Sequence, residues 1–106
     1  MKFVIGWLKV KPGKRDEFME LALPYGATTC TLEEGVEFLE FHPSSADPDG
    51  VIVIEKYRTP EVHDLHHQTE HFEQMWEQVQ RLCVEARFEN IFANRAEPDV
   101  IRFTAK

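Results

Sequence analysis

Two stretches of this chain are apolar toward both sides of any strand they could form. In Lys2–Val10, alternate positions place Phe3, Ile5 and Trp7 on one face and Val4, Leu8 and Val10 on the other. In Val51–Tyr57, four successive β-branched residues, Val51-Ile52-Val53-Ile54, again leave neither face polar. Such strands belong in the middle of a sheet that is covered on both sides. Any fold for this chain has to supply both covers.

The segments between them set the order of elements. Pro12-Gly13 makes a turn, and a helix follows from Lys14, with Phe18, Leu21 and Ala22 as its core stripe. Pro24 and Gly26 interrupt that pattern. The helix is expected to end near Leu23 or kink there, leaving an irregular last turn over Ala27–Leu32. After the Glu34-Gly35 turn, a second strand spans Val36–His42, with Val36, Phe38 and Glu40 on one face and Leu39 and Phe41 on the other. Pro43–Gly50 is a hairpin loop before the third strand. Thr59-Pro60 has helix-start chemistry, and a helical pattern runs to about Cys83 through Leu65, Phe72, Trp76 and Val79. Thr69 is a candidate break in it, since threonine caps helices better than it fills them. A fourth strand is expected at Arg87–Ala93, a loop at Asn94–Asp99, and a short extra strand or extended tail at Val100–Phe103.

The order β-α-β-β-α-β predicts an α+β, ferredoxin-like domain: a four-stranded antiparallel sheet with two helices on one face. One domain accounts for residues 1–106, with a core at 1–93 and a C-terminal tail at 94–106. Two helices cover one sheet face only. Leaving ~500 Å² of the other face wet would cost about 12 kcal/mol at ~25 cal/mol per Å². The expected cover is a second copy, packed sheet to sheet as a homodimer.

Composition narrows the partners. A net charge of −7 with no basic cluster argues against nucleic acid and against an anionic membrane surface. The longest apolar run, Val51–Ile54, is far too short to span a bilayer. The N-terminus reads directly as a strand, without a signal-peptide layout, so a cytoplasmic protein is expected. Cys30 and Cys83 have no CxxC spacing and are expected to be buried free thiols. No GxGxxG or P-loop is present, so nucleotide cofactors have no support.

The residues most suited to chemistry are histidines. His63, His66, His67 and His71 fall within nine positions. On a continuous helix His63, His67 and His71 would form one i, i+4, i+8 stripe, either a solvated face or a metal site of the kind imidazoles offer zinc, copper, iron or nickel. A break at Thr69 would spoil that register. His66, at the flank of the first segment, is suited to face inward. Glu55 is a charge within a β-branched strand, sharing a face with Val51, Val53 and Tyr57. It is either a site acid or base, or half of a strand-end salt bridge. Trp7, Trp76, Tyr57, Phe72 and Phe88 would line an aromatic pocket or simply fill the core.

Val53-Ile54-Glu55-Lys56-Tyr57, Thr59-Pro60 and His66-His67-Gln68-Thr69-Glu70-His71-Phe72, in that order, resemble the antibiotic biosynthesis monooxygenase family. In that family a strand ending Glu-x-aromatic precedes a helix carrying His-x-x-(Ser/Thr)-x-His-Phe. Lys11-Pro12-Gly13-Lys14 with Phe18, and the Glu34-Gly35 turn, are similar to the family's first helix start and second-strand turn. The resemblance covers about Met1 to Ala93. It implies a dimeric αβ-barrel whose tail reaches the partner. It also implies oxidation of a quinol or other aromatic phenol by dioxygen with no cofactor and no metal, the deprotonated substrate supplying the electrons. By carry-over, His66 and His71, then Glu55 and Tyr57, would accept protons or hydrogen-bond the substrate, with Trp76, Phe72 and Trp7 against the ring. A related haem-degrading branch uses a first-strand asparagine and a late-helix histidine. Here those places hold Ile5-Gly6-Trp7 and Trp76, so haem is not expected. Two further readings stand beside this one: a non-catalytic small-molecule-binding or structural dimer, and a histidine-stripe metal protein.

Overall fold

The computed structural model describes residues 1–92 and 99–105. Its elements are β1 (Lys2–Val10), α1 (Arg15–Leu32), β2 (Val36–Pro43), β3 (Gly50–Tyr57), α2 (Pro60–His66), α3 (Glu70–Leu82), β4 (Cys83–Phe92) and β5 (Asp99–Thr104). The five strands form one antiparallel sheet in the order β2-β3-β1-β4-β5. This is the expected α+β ferredoxin-like arrangement with one strand added at the edge. The tail strand β5 pairs along β4 of its own chain, Glu85 opposite Thr104 through Asn90 opposite Asp99. Of the loop expected at Asn94–Asp99, residues 94–98 lie outside the described residues, and Asp99 already belongs to β5.

The two doubly apolar strands lie side by side in the interior of the sheet. On the helix side, β1 buries Val4, Leu8 and Val10, and β3 buries Val51, Val53 and Tyr57. Phe3, Ile5, Trp7, Ile52 and Ile54 point the other way and are only partly covered. Val36 departs from the expected facing. A register shift between Val36 and Phe38 sets Val36 opposite Tyr57 and buries it on the helix side, so strict alternation fails there.

α1 corrects the expected helix end. It runs unbroken through Pro24. Pro24 and Glu20, whose carbonyl loses its usual donor, are both on the exposed side of the helix. The buried face continues past it as Phe18, Ala22, Gly26 and Thr29. Gly26 is there for contact, not flexibility: a Cβ at that position would sit 2.6 Å from the Leu39 carbonyl oxygen, so glycine lets α1 lie directly on β2. Arg15, at the start of the helix, donates to the Ser44 and Asp47 carbonyls of the β2–β3 loop.

β4 begins at Cys83, four residues before the expected start, because α3 ends at Leu82 and its C-cap residue already has extended geometry. Both cysteines are free. Cys83 is buried, and burial pushes its thiol pKa up to about 12, but Cys30 is exposed on α1, contrary to expectation. No helix among the described residues is long and apolar enough to cross a membrane.

Candidate active site

The site begins with a helix that stops early. Thr59 caps α2 by accepting from the Val62 amide, with Pro60 at the first turn. Seven residues later the chain turns, and Thr69 starts α3. Its Oγ1 accepts from the Phe72 amide at 3.2 Å and donates to the His66 carbonyl at 2.7 Å. One hydroxyl therefore joins the end of one helix to the start of the next. Because the helices have independent phases, the expected His63–His67–His71 stripe does not form. α2 turns His63 and His66 inward, at 4% and 1% exposure, and leaves Leu65 61% exposed. His63 packs on Tyr57 with ring centroids 4.5 Å apart, so it lies on no solvated face. Thr69→Ala is expected to lower the denaturation midpoint by an amount equivalent to about 1 kcal/mol, measured by chemical unfolding with Thr69→Ser as the conservative control.

Between the sheet and the helices is a cavity of about 160 Å³. Its apolar wall includes Leu8, Phe41, Met75, Trp76, Val79 and Phe88. Phe88 packs against Gly6, where any Cβ would be 2.7 Å from the ring, so the glycine in the middle of β1 makes room for that wall. The polar groups Tyr25, Glu55, His63, His66, His67 and Asn90 also line the cavity. Phe72 does as well, stacked almost parallel to Trp76 at 6.4 Å.

Two hydrogen-bonded sets meet this space. In the first, the Tyr57 hydroxyl donates to Glu55 Oε1. Burial pushes the Glu55 carboxyl up to about 7, against the Tyr57 hydrogen bond and the positive charge of Lys2, which both favour ionisation. Burial, and then the Glu55 charge, raise the Tyr57 hydroxyl well above its ordinary value, so it stays a donor. Lys2 Nζ is 2.5 Å from His63 Nδ1. Burial first, then the charges of His67 and Lys2, lower His63 to about 3, so its ring is neutral and can accept from the ammonium.

In the second set, His66 is held at both nitrogens. Nδ1 is 2.8 Å from Glu33 Oε2 and Nε2 is 2.7 Å from the Tyr25 hydroxyl. Burial lowers the His66 pKa despite the opposing effect of Glu33. Burial also raises Tyr25, with the charges of Glu55 and Glu33 adding to it, so the phenol keeps its proton. A neutral imidazole has one N–H, so with the phenol donating to Nε2 it is Nδ1 that donates to Glu33. His71 Nε2 reaches the same Glu33 oxygen at 2.5 Å.

The residues named from sequence thus separate. His66, Glu55, Trp76 and Phe72 line the cavity. Tyr57 and His71 stand behind it, bonded to Glu55 and Glu33. Trp7 does not reach it. It is on the opposite face of the sheet, 40% exposed, with the Arg87 guanidinium 5.1 Å over its ring. Tyr25 and Glu33 were not anticipated. The expected break at Pro24 leaves Tyr25 outside a regular helix, and Glu33 directly precedes the Glu34-Gly35 turn with no local signal of its partners. The signal that finds Tyr25 is the continuing stripe Phe18, Ala22, Gly26, Thr29, which places it beside the buried face.

A βαββαβ sheet with an acid–base cavity under its helices defines a class of small α+β proteins. The family model for antibiotic biosynthesis monooxygenases matches residues 1–78, and the chain belongs to that family. Among solved structures, a protein of unknown function from Bacteroides thetaiotaomicron, described as a candidate oxidoreductase, is 26% identical with a TM-score of 0.78, over 85% of this chain and 94% of its own. A candidate antibiotic biosynthesis monooxygenase from Nitrosomonas europaea is 21% identical with a TM-score of 0.80, over 90% of this chain and 100% of its own. Another from Deinococcus radiodurans is 14% identical at the same TM-score, over 91% and 95%. The last two likenesses speak to the fold alone. No curated protein matches the chain.

Proposed function

We propose that this protein is a monooxygenase that oxidises a single-ring hydroquinone or related phenol with dioxygen, using no cofactor, as a homodimer. One observation carries the reading: a buried carboxyl, Glu55, which burial pushes up to about 7, lines an otherwise mostly apolar cavity. A base of that strength is matched to removing a phenolic proton near neutral pH. A dry cavity of ~150 Å³ holds benzene, so the space here suits one aromatic ring.

The phenolic proton passes to Glu55, and Tyr57 keeps that carboxyl in place. The resulting phenolate is electron-rich enough to reduce dioxygen. One oxygen atom enters the ring and the other leaves as water; a hydroquinone and O₂ thus give a hydroxyquinone and H₂O. Tyr25, His66 and Glu33 form a chain that can hydrogen-bond the far oxygen of the ring. The apolar wall keeps bulk water from the reactive carbanion form of the substrate.

Oxygen uptake with a panel of hydroquinones tests this directly. Wild-type protein should consume one O₂ per hydroquinone with at least one member of the panel. His66→Ala should reduce kcat/KM by about 10²-fold, the lower range for a positioned proton-transfer group. No uptake with any phenol would leave the fold in service of binding alone.

The dimer rests on the other sheet face. Phe3, Ile5, Trp7, Ile52 and Ile54 form its apolar centre, with Lys56 over Phe3 and Arg87 over Trp7 as side-chain covers. A second copy packed sheet to sheet would replace that incomplete cover.

A further inference from the structure

Glu33, His66 and His71 do more than order the pocket wall. Their ligand atoms, one carboxylate oxygen and two imidazole nitrogens, all lie within 4.8 Å of one another. The trio is drawn from three places: the C-cap of α1, the last residue of α2 and the first turn of α3. We propose that these three side chains form a binding site for one first-row divalent cation, with zinc as the simplest occupant. The proposal is independent of the oxidation reading and stands or falls without it.

Four observations support it. Two nitrogens and one carboxylate oxygen are the protein ligands of many zinc sites that keep a fourth position open. Tetrahedral zinc with ~2.1 Å bonds separates its donors by roughly 3.4 Å, so the present spacings of 2.5 and 2.8 Å need only a modest outward shift. The ring of His66 is already oriented by Tyr25 at its far nitrogen, the arrangement that fixes a metal-binding histidine. Finally, α1 is an 18-residue helix with no basic residue in its last turn, and Glu33 caps it. Its negative end therefore favours a cation there. The side chains of Glu33 and His71 are 12% and 21% exposed, which gives the ion a route in, while His66 closes the inner side at 1%.

Binding would have a chemical consequence in the cavity. Without the ion, Nδ1 of His66 carries the proton given to Glu33, and Tyr25 donates to Nε2. An ion on Nδ1 requires the other tautomer, so the single ring proton moves to Nε2. The Tyr25–His66 hydrogen bond then reverses: the phenol oxygen accepts, and its O–H is released toward the cavity. The ion would thus switch Tyr25 from a donor to histidine into a donor to whatever occupies the pocket.

The test is calorimetric titration of the untagged, chelator-treated full chain with ZnCl₂, with Co²⁺ visible absorption as a coordination readout. One ion per chain is expected. His71→Ala and Glu33→Gln should each weaken binding by at least about 100-fold and abolish the tetrahedral Co²⁺ bands. Tyr25→Phe should weaken it by about 10-fold without changing the stoichiometry. His42→Ala, which removes an exposed histidine paired with Glu40, should change nothing and controls for surface binding. Circular dichroism establishes that each variant is folded; should His71→Ala fail to fold, Glu33→Gln carries the test. No binding to 1 mM Zn²⁺, on the order of the weakest specific affinities, would overturn the proposal. So would binding that survives both ligand substitutions.

Discussion

Glu55→Gln is expected to lower kcat/KM for hydroquinone oxidation by about 10² to 10⁴-fold, the range for loss of a positioned base. Glutamine keeps the shape and can still accept from Tyr57, so the loss reports the missing proton acceptor. The wild-type pH profile carries the same information. Burial holds this carboxyl at about 7, so activity should fall roughly tenfold per pH unit below 7 and level off above it. In the glutamine variant that limb should vanish. An unchanged rate and profile would remove Glu55 from the chemistry.

The same group makes a stability prediction of opposite sign. Its folded pKa, near 7, lies above the ordinary value of 4.5, so the fold prefers the protonated acid. The stability this contributes is complete below about pH 4.5 and is lost as pH rises through 7, a change of about 3 kcal/mol for a fully buried group. Glu55→Gln should therefore raise the melting temperature at pH 8 relative to wild type and change it little at pH 4.5. A residue whose removal stabilises the fold where the reaction runs is one retained for its chemistry.

Ile54→Lys is expected to convert the proposed sheet-to-sheet dimer into monomers of 12.4 kDa. Ile54 sits opposite Ile5 at the middle of the uncovered sheet face. Twofold symmetry would bury two added ammonium groups in one interface, and even ~4 kcal/mol in total weakens association roughly a thousandfold. Light scattering across a micromolar dilution series measures this. Wild-type protein that is already a stable monomer would defeat the sheet-to-sheet reading. Because the cavity is on the other side of the sheet, oxygen uptake by the variant separates what the proposed dimer would do for stability from what it would do for the site.

The strands were legible because the helix-side and open-side residues of β1 and β3 each follow strict alternation. Thr69 was legible as a cap because its chemistry is local. The inward turn of His66 and the placing of Glu55 beside Val51 and Val53 could also be read, since each depends on position within one element. What could not be read depended on two elements meeting. Pro24 looked like a helix end because sequence does not show which side of a helix faces water. Glu33 carries no local signal because its partners, His66 and His71, are more than thirty residues away. His63 looked solvated because Leu65 was the more apolar choice for the core, yet a neutral imidazole against Tyr57 and Lys2 took the buried place.

α2 has seven residues, fewer than two turns. A peptide of that length has almost no helical content in water, since nucleation costs more than so few hydrogen bonds return. Its shape is borrowed from two threonine caps and from the rings it presses on the sheet. Three of the four clustered histidines, His63, His66 and His67, lie on it or at its end. The wall that would touch the proposed substrate thus depends on its neighbours for its shape, and a ligand that fills the cavity would become part of what holds the wall together. Occupancy and order at this wall are then one equilibrium, in which a poorly fitting guest meets a looser host.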